Sequence, residues 1–460
     1  MTIGYVGLGP ERSNSWLSRL VALSLLLPAL TGLYLADALA QVAPSMRIAS
    51  SPNPVGSGAR ALGMGGAFIA VADDATAASW NPGGLIQLET PEVSVVGVYG
   101  HSTNQNTSHD HPEANGEGTF GKFDVNYFSA AYPFHFLERN MVFSLNVQHL
   151  YDFNQDIKYN FTTQGELGGR PYRNDSSFTY EARGDLRTVS PAFSMEITPG
   201  FSLGATINVW TDKLLWKNEW SRKLSFASKE TTGGSTKDSI GLIEEKYHDI
   251  FGINYNLGAL WNINKTVTLG AVVKTPFTMS LTRDVYQDVH PPNPPIPPIP
   301  LSYKEDMELR FPISYGVGVA VRYSDHLTLS ADIYRTEWSQ YILRDSHGNA
   351  TSPIADVPES QADIPATHQV RLGGEYLFIL DKTIIPARAG LFYDPQPTQG
   401  GVNNFYGFSL GSGCMIGDIV LDVAYQFRWS LDSKNILLQV PDATTDVTQH
   451  TILMSAIYHF

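Results

Sequence analysis

Several basic side chains recur at alternate positions in segments of β-strand character, and these residues are the best suited to binding chemistry. Alternate residues of a strand share one face, which here places cations and carboxylates together on a predicted interior face. The set is Lys274, Arg310, Arg371, Arg388 and Arg428, with Glu308, Asp332, Glu375 and Asp422. A buried cation can hold a carboxylate by charge-assisted hydrogen bonds. We expect Lys274, Arg310 and Arg371 to contact a ligand carboxylate, and mutual pairing of the charges is the alternative.

The sequence carries no signature of enzyme, cofactor or nucleic-acid chemistry. It contains no G-x-S-x-G elbow, no H-E-x-x-H helix and no phosphate-binding loop. The net charge of −14 argues against a nucleic-acid partner, and the single cysteine, Cys414, cannot form an intramolecular disulfide. A metal role for His101, His109 and His111, which share one predicted loop, is the less favoured interpretation. We predict no enzyme, no cofactor and no metal, although a hydrolase triad assembled from distant residues stays open.

From residue 92 onward, apolar and polar residues alternate in about fourteen segments. Phe201, Leu203, Ala205, Ile207 and Val209, for example, share one face. This period of two predicts a wall with lipid on one side and a polar interior on the other. The predicted strands lie near 92–100, 121–134, 140–153, 177–197, 201–217, 247–262, 266–283, 304–322, 326–344, 366–379, 384–394, 403–415, 417–430 and 449–460.

The connections between these segments alternate between long and short. Outer-membrane barrels have short periplasmic turns and longer outer loops, and an even number of strands leaves both termini on the periplasmic side. The long connections lie near 101–120, 154–176, 218–246, 284–303, 345–365, 395–402 and 431–448. The short ones lie near 135–139, 198–200, 263–265, 323–325, 380–383 and 416–417. Residues 92–460 therefore predict an all-β fold, a transmembrane antiparallel β-barrel of about fourteen strands.

Five prolines lie in or beside predicted strands. Because proline cannot donate to a β-ladder, each should mark a bulge, a kink or a misplaced boundary, and such a break could open a gap in the wall. The prolines are Pro133, Pro191, Pro276, Pro312 and Pro386.

Both ends of the chain indicate export to the outer membrane. Arg12 and Arg19 precede an apolar run from residue 20 to 35, and Ala38-Leu39-Ala40 follows, which is typical of a signal peptide spanning 1–40. An uncleaved membrane anchor is the alternative. The last strand alternates and ends on Phe460, as the closing strand of an outer-membrane barrel does. We expect Phe460 to be recognised by the barrel-assembly machinery and outer-membrane lipid to surround the barrel.

Residues 41–91 precede the first predicted strand and are rich in glycine, alanine and apolar residues. Their apolar content argues against a disordered tail, which is the alternative. We predict that this segment is a hatch that plugs the barrel. Within it, Asn81-Pro82-Gly83 combines a turn-forming side chain, a fixed φ angle and a flexible residue. It is either a switch contacting the wall or a rigid turn before the first strand.

The hatch sequence GARALGMGGAFIAVADDATAASWNPGGL at 58–85 resembles the N-terminal region of the FadL family, which includes TodX. That family of outer-membrane transporters for long-chain fatty acids and aromatic hydrocarbons has Asn-Pro-Ala where this chain has Asn81-Pro82-Gly83. Weaker similarities follow in the same order along the chain. They are Lys274-Thr275-Pro276, Thr336-Glu337-Trp338-Ser339 and Arg371-Leu372-Gly373-Gly374-Glu375-Tyr376.

The resemblance implies a monomeric, hatch-plugged barrel for passive uptake of a long-chain fatty acid or another hydrophobic small molecule. The ligand would dock on an apolar groove of the third and fourth outer loops, enter the barrel and leave past the hatch or through the wall. The proline-rich run at 291–300 would form a stiff wall of that groove. The groove candidates are Trp216, Trp220, Leu224, Phe226, Tyr286, Ile296 and Ile299.

A second function is compatible with the same hatch sequence. Residues 58–68 also resemble barrels of this fold that serve as secretion partners, binding exported or outer-membrane proteins and conducting no small ligand. The similarities in the later strands favour transport.

Overall fold

The computed structural model describes residues 56–290, 300–434, 440 and 442–460. The predicted signal peptide, the start of the predicted hatch, and Ile296 and Ile299 of the predicted groove lie outside these residues. The helices are short: α1 spans Ala59–Gly63, α2 spans Ala77–Trp80, and 3₁₀ turns span Pro82–Gln87, Pro112–Ala114, Trp338–Gln340 and Glu359–Gln361. Among the described helices, none combines the length and the apolar character that a membrane crossing requires.

Strands form the bulk of the described chain. In chain order they are β1 (Glu92–Thr107), β2 (Gly116–Phe136), β3 (Arg139–Asp152), β4 (Gln155–Leu167), β5 (Arg170–Thr198), β6 (Phe201–Thr211), β7 (Glu219–Thr232), β8 (Ser235–Asn262), β9 (Val267–Lys274), β10 (Phe277–His290), β11 (Leu301–Phe311), β12 (Ser314–Arg322), β13 (Leu327–Thr336), β14 (Ile342–Arg344), β15 (Ala350–Ser352), β16 (Val357–Pro358), β17 (Thr367–Leu380), β18 (Thr383–Tyr393), β19 (Gln396–Thr398), β20 (Gly401–Asn403), β21 (Tyr406–Ile416), β22 (Ile419–Lys434) and β23 (Thr444–His459).

Within the described residues, fourteen strands form a closed antiparallel ring, which confirms the predicted barrel. The ring closes because β1 pairs with both β2 and β23. Its order is β1, β2, β3, β5, β6, β8, β9, β12, β13, β17, β18, β21, β22 and β23.

The alternation of the sequence explains how each strand sits in this wall. On β6, Leu203 and Ile207 are exposed on the outer face, whereas Thr206 and Asn208 are buried on the inner face. Apolar residues facing out and polar residues facing in are what a wall between lipid and a polar lumen requires.

Strands β5 and β8 extend beyond the ring and carry additional strands on the side of the long connections. The outer half of β5 pairs with β4 and β7, and the outer half of β8 pairs with β7 and β10. Strand β11 continues this sheet by pairing with β10 and β14. Much of the predicted long connections near 154–176 and 218–246 is therefore β-structure rather than irregular loop.

Residues 56–88 fill the inside of the ring and are mostly buried. Asp332 on β13 accepts a hydrogen bond from Phe68 N at 2.6 Å, and Thr206 on β6 donates to Ala78 O at 2.9 Å. The segment thus contacts separate parts of the wall, and the predicted plug in the lumen is confirmed. The predicted limits of the hatch, 41 and 91, stay a prediction.

Glycines on the inner face of seven ring strands let the hatch backbone approach the wall. A Cβ at Gly390 would overlap Gly65 N, and a Cβ at Gly258 would overlap the Asn81 side chain. Only glycine leaves room for such contacts. The inner-face glycines are Gly204, Gly258, Gly270, Gly318, Gly373, Gly390 and Gly411.

At Pro276 and at Pro312, the alternation of inward and outward side chains is reversed. The two prolines lie at the same height on neighbouring strands. Lys274 and Phe277 line one interior cavity, although they stand three positions apart. Phe311 and Ser314 line the same cavity at the same spacing. One extra residue is therefore inserted between β9 and β10 and between β11 and β12, as in a β-bulge.

Candidate functional site

A cavity of about 340 Å³ lies in the lumen on the side of the long connections. Inner-face residues of β1, β2, β22 and β23 line it, together with the segments that follow β3 and β18. Its lining is mixed, because aromatic rings such as Phe120 and Phe405 alternate with amides and charged groups. The cavity is large enough for part of a drug-sized or lipid-like ligand.

Arg371 lies where this cavity meets the hatch. Its side chain is buried, and Nη1 donates to the hatch carbonyl of Gly65 at 2.9 Å. The guanidinium carbon lies 5.3 Å from the centre of the Phe392 ring, and Nη2 lies 3.8 Å from Asp394 Oδ2. The predicted inward placement of Arg371 is confirmed, and its contact with a ligand stays a prediction.

Arg428 approaches the same carboxylate from the other side. Its Nε lies 3.3 Å from Asp394 Oδ2, and its guanidinium carbon lies 3.7 Å from the centre of the Phe405 ring. Nη1 donates to Gln449 at 2.7 Å. Two buried guanidinium groups therefore share the buried carboxylate of Asp394 at the cavity wall.

The sequence pattern placed Arg428 on the inner face but gave no reason to select it as a ligand contact. Its partners Asp394 and Phe405 stand between strands, where residue alternation carries no signal. The sequence indicated its position in one way only. Arg428 stands at even spacing from Asp422 and Gln426 and therefore shares their face of the strand.

Lys274 lines a different and smaller cavity, of about 40 Å³. Rings of Trp210, Phe277, Phe311 and Trp338 line this cavity, together with Asn208, Asn254 and Asn256. Its inward placement is confirmed, but the structure does not bring Lys274 into the lining of the larger cavity with Arg371.

The prediction that Arg310 faces the interior is wrong. On β11 the buried residues are Met307, Leu309 and Phe311, and Arg310 is exposed on the opposite face. The prediction counted alternate residues through β11 and β12 as one strand. The extra residue at Pro312 shifts this count by one, so every side chain of β11 lies on the face opposite to the predicted one. The same shift exposes Glu308, which was placed inside with it.

The remaining inner charges pair with one another, as the alternative interpretation states. Arg388 donates to Glu375 and to Asp422, each at 2.6 Å. Arg60 of the hatch joins Glu375 at 2.9 Å and Asp73 at 2.5 Å. This network ties the hatch to β17, β18 and β22, and its cations are fully engaged in structural contacts.

The described members of the predicted outer groove lie in different surroundings. Trp220 is only 2% exposed and stacks between Phe153 and Tyr247. Leu224 and Phe226 pack in a second cluster with Phe178, Trp216 lies against Arg187, and Tyr286 is on β10. Their role in a docking groove stays a prediction.

Asn81-Pro82-Gly83 is anchored to the wall between β5 and β8. Asn81 Nδ2 donates to Ala259 O at 2.9 Å and to Ile69 O at 2.8 Å, and Pro82 begins a 3₁₀ turn. Ser202 Oγ donates to Gly83 O at 2.8 Å. The motif does contact the wall, and its role as a switch stays a prediction.

The three histidines of the first outer connection do not converge. His101 lines the larger cavity, whereas the His109 ring contacts Asp110 at 3.1 Å and the His111 ring contacts Glu113 at 3.2 Å. Nearby, hydrogen bonds from Ser108 Oγ and from backbone N–H groups lower the pKa of Asp442 to about 2. That carboxylate fastens the connection rather than forming a metal site with the histidines.

Comparisons with protein families and with solved structures show what this chain is similar to. A family model described as outer membrane protein transport protein (OMPP1/FadL/TodX) matches residues 44–431. No curated protein sequence matches the chain significantly. A Pseudomonas aeruginosa FadL homologue is 14% identical over 88% of this chain and 98% of its own, with a TM-score of 0.57.

Two further solved structures share the fold at similarly low identity. The Pseudomonas putida toluene transporter TodX is 13% identical over 83% of this chain and 92% of its own, with a TM-score of 0.51. The monoaromatic hydrocarbon channel CymD is 15% identical over 89% of this chain and 98% of its own, also with a TM-score of 0.51.

Proposed function

The chain belongs to the OMPP1/FadL/TodX family of outer-membrane transport proteins, and we propose that it carries hydrophobic compounds with a carboxylate, such as long-chain fatty acids, passively across the outer membrane. The observation that carries the substrate class is the pair of buried guanidinium groups, Arg371 and Arg428, on one carboxylate beside the larger cavity. In the same proposal the protein is a monomer in outer-membrane lipid, assembled through recognition of Phe460.

The chemistry of the cavity suits a fatty acid at both ends. The guanidinium groups of Arg371 and Arg428 share the carboxylate of Asp394 and would hold a ligand carboxylate by charge-assisted hydrogen bonds. The rings of Phe120 and Phe405 offer apolar contact to the chain, and each buried methylene contributes about 0.8 kcal/mol. The hatch below the cavity would hold the ligand until the hatch or the wall moves.

The test compares uptake of labelled oleate and labelled toluene by cells with and without the protein. Arg371→Met and Arg428→Met should slow oleate entry and spare toluene, because only oleate carries a carboxylate. Arg310→Met is the matched control, since this arginine is exposed on the outer face and should leave both rates unchanged.

Equal loss of both probes in the Arg371 and Arg428 variants would remove the carboxylate from the proposal. Faster toluene entry alone would favour neutral aromatic compounds, a class that the ring-lined cavity beside Lys274 also suits. No uptake of either probe by the wild-type protein would favour the secretion-partner alternative, which a stoichiometric protein partner in a pull-down would support.

A further inference from the structure

Three side chains from neighbouring strands meet in the wall at the outer end of the lumen. Asp124 lies on β2, His149 on β3 and Asp185 on β5, and one oxygen or nitrogen atom of each lies within 4.8 Å of the other two. We name these residues the Asp–His–Asp cluster. Asp124 and His149 also line the larger cavity, so the cluster can be reached from the lumen.

Irregular strand pairing brings the cluster together. Against β1, β2 carries one extra residue, Asn126, and against β5, β3 carries one extra residue, Leu150. The direct ladder between β2 and β3 ends before it reaches the cluster. Such β-bulges redirect side chains and occur often beside functional sites. Here they lie next to two members of the cluster, Asp124 and His149.

His149 is the buried member of the cluster that lacks a hydrogen bond. Its side chain is only 6% exposed, yet neither ring nitrogen makes a hydrogen bond with the described residues. The Nδ1 atom lies 3.6 Å from Asp124 Oδ2, which is too far for a hydrogen bond. Burial of a polar ring without a partner costs free energy, and a metal ion that binds the lone pair of neutral imidazole would offset this cost.

The spacing of the cluster suits a tetrahedral metal ion. Zn²⁺ binds imidazole nitrogen and carboxylate oxygen at about 2.0–2.2 Å, so two of its ligand atoms stand about 3.3–3.6 Å apart. The distance between His149 Nδ1 and Asp124 Oδ2 has this size. One nitrogen and two carboxylate oxygens leave a fourth position for water, as in zinc sites with three protein ligands. The nitrogen ligand disfavours Mg²⁺ and Ca²⁺, which prefer oxygen.

A lysine ammonium lies between the two carboxylates of the cluster. Lys122 Nζ is 3.0 Å from Asp124 Oδ2, 3.1 Å from Asp185 Oδ2 and 4.0 Å from Asp152 Oδ2. The Lys122 side chain is 31% exposed and lines the larger cavity, so its ammonium can turn into the lumen. Arg187 also contacts both carboxylates of the cluster, but it is only 9% exposed and stays in place. A divalent ion that replaces the ammonium brings one more positive charge to a place that carboxylates surround.

We propose that the Asp–His–Asp cluster is a binding site for a divalent transition-metal ion of the Zn²⁺ type, which displaces the ammonium of Lys122. Asp124 and Asp185 each supply one carboxylate oxygen, and His149 supplies one ring nitrogen. The bound ion joins β2, β3 and β5 where β2 and β3 no longer pair, so it stabilises the outer end of the wall. This site does not depend on which compound the barrel carries. The sequence gave no spacing signal for it, because each ligand comes from a different strand.

A second group of possible ligands among the described residues lacks the buried histidine. Glu305, Asp345 and His347 lie equally close together, but the His347 side chain is 80% exposed. Asp345 also accepts hydrogen bonds from the backbone N–H groups of His347 and Asn349. This exposed group therefore serves as the matched control for the buried cluster.

Zinc titration of the purified protein in detergent tests the site. After treatment with EDTA, ZnCl₂ is added in competition with a chromophoric zinc chelator, and thermal unfolding is measured with and without zinc. The wild-type protein should bind one Zn²⁺ ion that raises its unfolding temperature. Loss of an outer-shell partner weakens metal binding 10–100-fold, so His149→Leu, which removes a direct ligand, should weaken it at least about 100-fold. His347→Leu should keep both the affinity and the temperature shift.

A second pair of variants tests the displacement of the lysine. Lys122→Met removes the competing ammonium and should bind Zn²⁺ about tenfold more tightly or better, since opposite charges at this distance interact by more than 1 kcal/mol near a protein surface. Lys158→Met, which removes another lysine that lines the larger cavity, is the matched control and should leave the affinity unchanged. Folding of every variant is verified by heat-modifiable migration of the barrel.

The outcomes separate the site from adventitious zinc binding. Equal zinc affinity in the wild-type protein and in folded His149→Leu overturns the site, as does a wild-type protein whose unfolding temperature does not respond to zinc. Loss of zinc binding in His347→Leu alone also overturns it, because the ion then belongs to the exposed group. Equal affinity in Lys122→Met and Lys158→Met overturns the exchange with the lysine.

Discussion

The wall is interrupted in two places, which are closed by opposite means. Beyond the pair of Tyr127 and Gln148, β2 no longer pairs with β3, and we name this place the charged break. Between its pairs with Lys274 and Ser280, β8 pairs with neither β9 nor β10, and we name this place the apolar break. At the charged break, Arg187 reaches Asp124 at 2.6 Å, Asp185 at 3.0 Å and the backbone carbonyl of Val125 at 3.1 Å. At the apolar break, Phe277 closes the wall by stacking on Trp210 and Phe311. One gap is thus filled by ion pairs and the other by stacked rings.

The comparison teaches that two gaps in one wall can be closed by different physical interactions. A register shift lies beside each gap: the β3–β5 ladder shifts between His149 and Tyr151, and the β8–β10 ladder shifts between Ser280 and Thr282. The side chains that occupy each gap differ, and they decide how strongly it is held. An apolar lining is stabilised by burial, whereas an ionic lining depends on keeping each buried charge paired.

Among substitutions at the two breaks, removal of Arg187 should cause the largest loss of stability. Arg187→Met leaves Asp124 and Asp185 with Lys122 as their shared cation, and loss of one partner of a buried network costs about 3–5 kcal/mol. Thermal unfolding in detergent measures the loss, and amide exchange locates it at the outer half of β2. The control Arg173→Met removes an exposed pair with Asp175 and should cost far less.

Truncation of Phe311 should open the apolar break at a somewhat smaller cost. Phe311→Ala removes a ring that packs on Phe277, Tyr151 and Tyr341, and such truncations cost about 3 kcal/mol or more. Amide exchange should increase in β10 and β11 and stay unchanged in β2. Phe123→Ala, which removes an exposed ring, is the control. Equal exchange in β2 and β10 would show that the two breaks open as one unit.

Much of this wall was predictable from the sequence, because alternation in segments such as 201–209 needs only one apolar and one polar face. The predicted face of Arg310 failed for a local reason. One inserted residue at Pro312 exchanges the inward and outward faces of the whole strand β11. No pattern within β11 shows which of its two faces points inward.

The site was less predictable because its parts carry no periodic signal. Asp394 and Phe405 lie between strands, and they meet Arg428 only when β18, β21 and β22 pair side by side. The seat of the hatch depends on inner-face glycines such as Gly390 and Gly258, which an apolar–polar pattern does not register. That these positions must be glycine becomes clear only when the hatch backbone is placed against them.

Ionic strength should separate the two breaks with a smaller effect than either truncation. Raising salt from 0.01 M to 1 M shortens the screening length from about 30 Å to about 3 Å, which weakens the partly exposed ion pairs around Lys122. Amide exchange in the outer half of β2 should increase, by an amount that corresponds to about 1 kcal/mol or less. Exchange in β10 should not increase, and an increase of the same size there would contradict the distinction between ionic and aromatic closure.

The smallest effect should come from His149, which lies inside the charged break. Its ring nitrogens find no hydrogen-bond partner among the described residues, and Nδ1 stands 3.6 Å from Asp124 Oδ2. A buried polar group without a partner costs free energy, so an apolar replacement of similar size is nearly neutral or stabilising. We therefore expect His149→Leu to raise the free energy of unfolding slightly, by no more than about 1 kcal/mol.

The same site distinguishes a passive histidine from one that helps to close the break. His149→Gln keeps a donor near Asp124, so it should be at least as stable as His149→Leu if the cluster can use another hydrogen bond. His101→Gln, on β1 in the same large cavity, is the control for a polar change in the lumen. A clear loss of stability in His149→Leu that His149→Gln restores would make the histidine part of the ionic closure, and the charged break would then be held by five side chains rather than four.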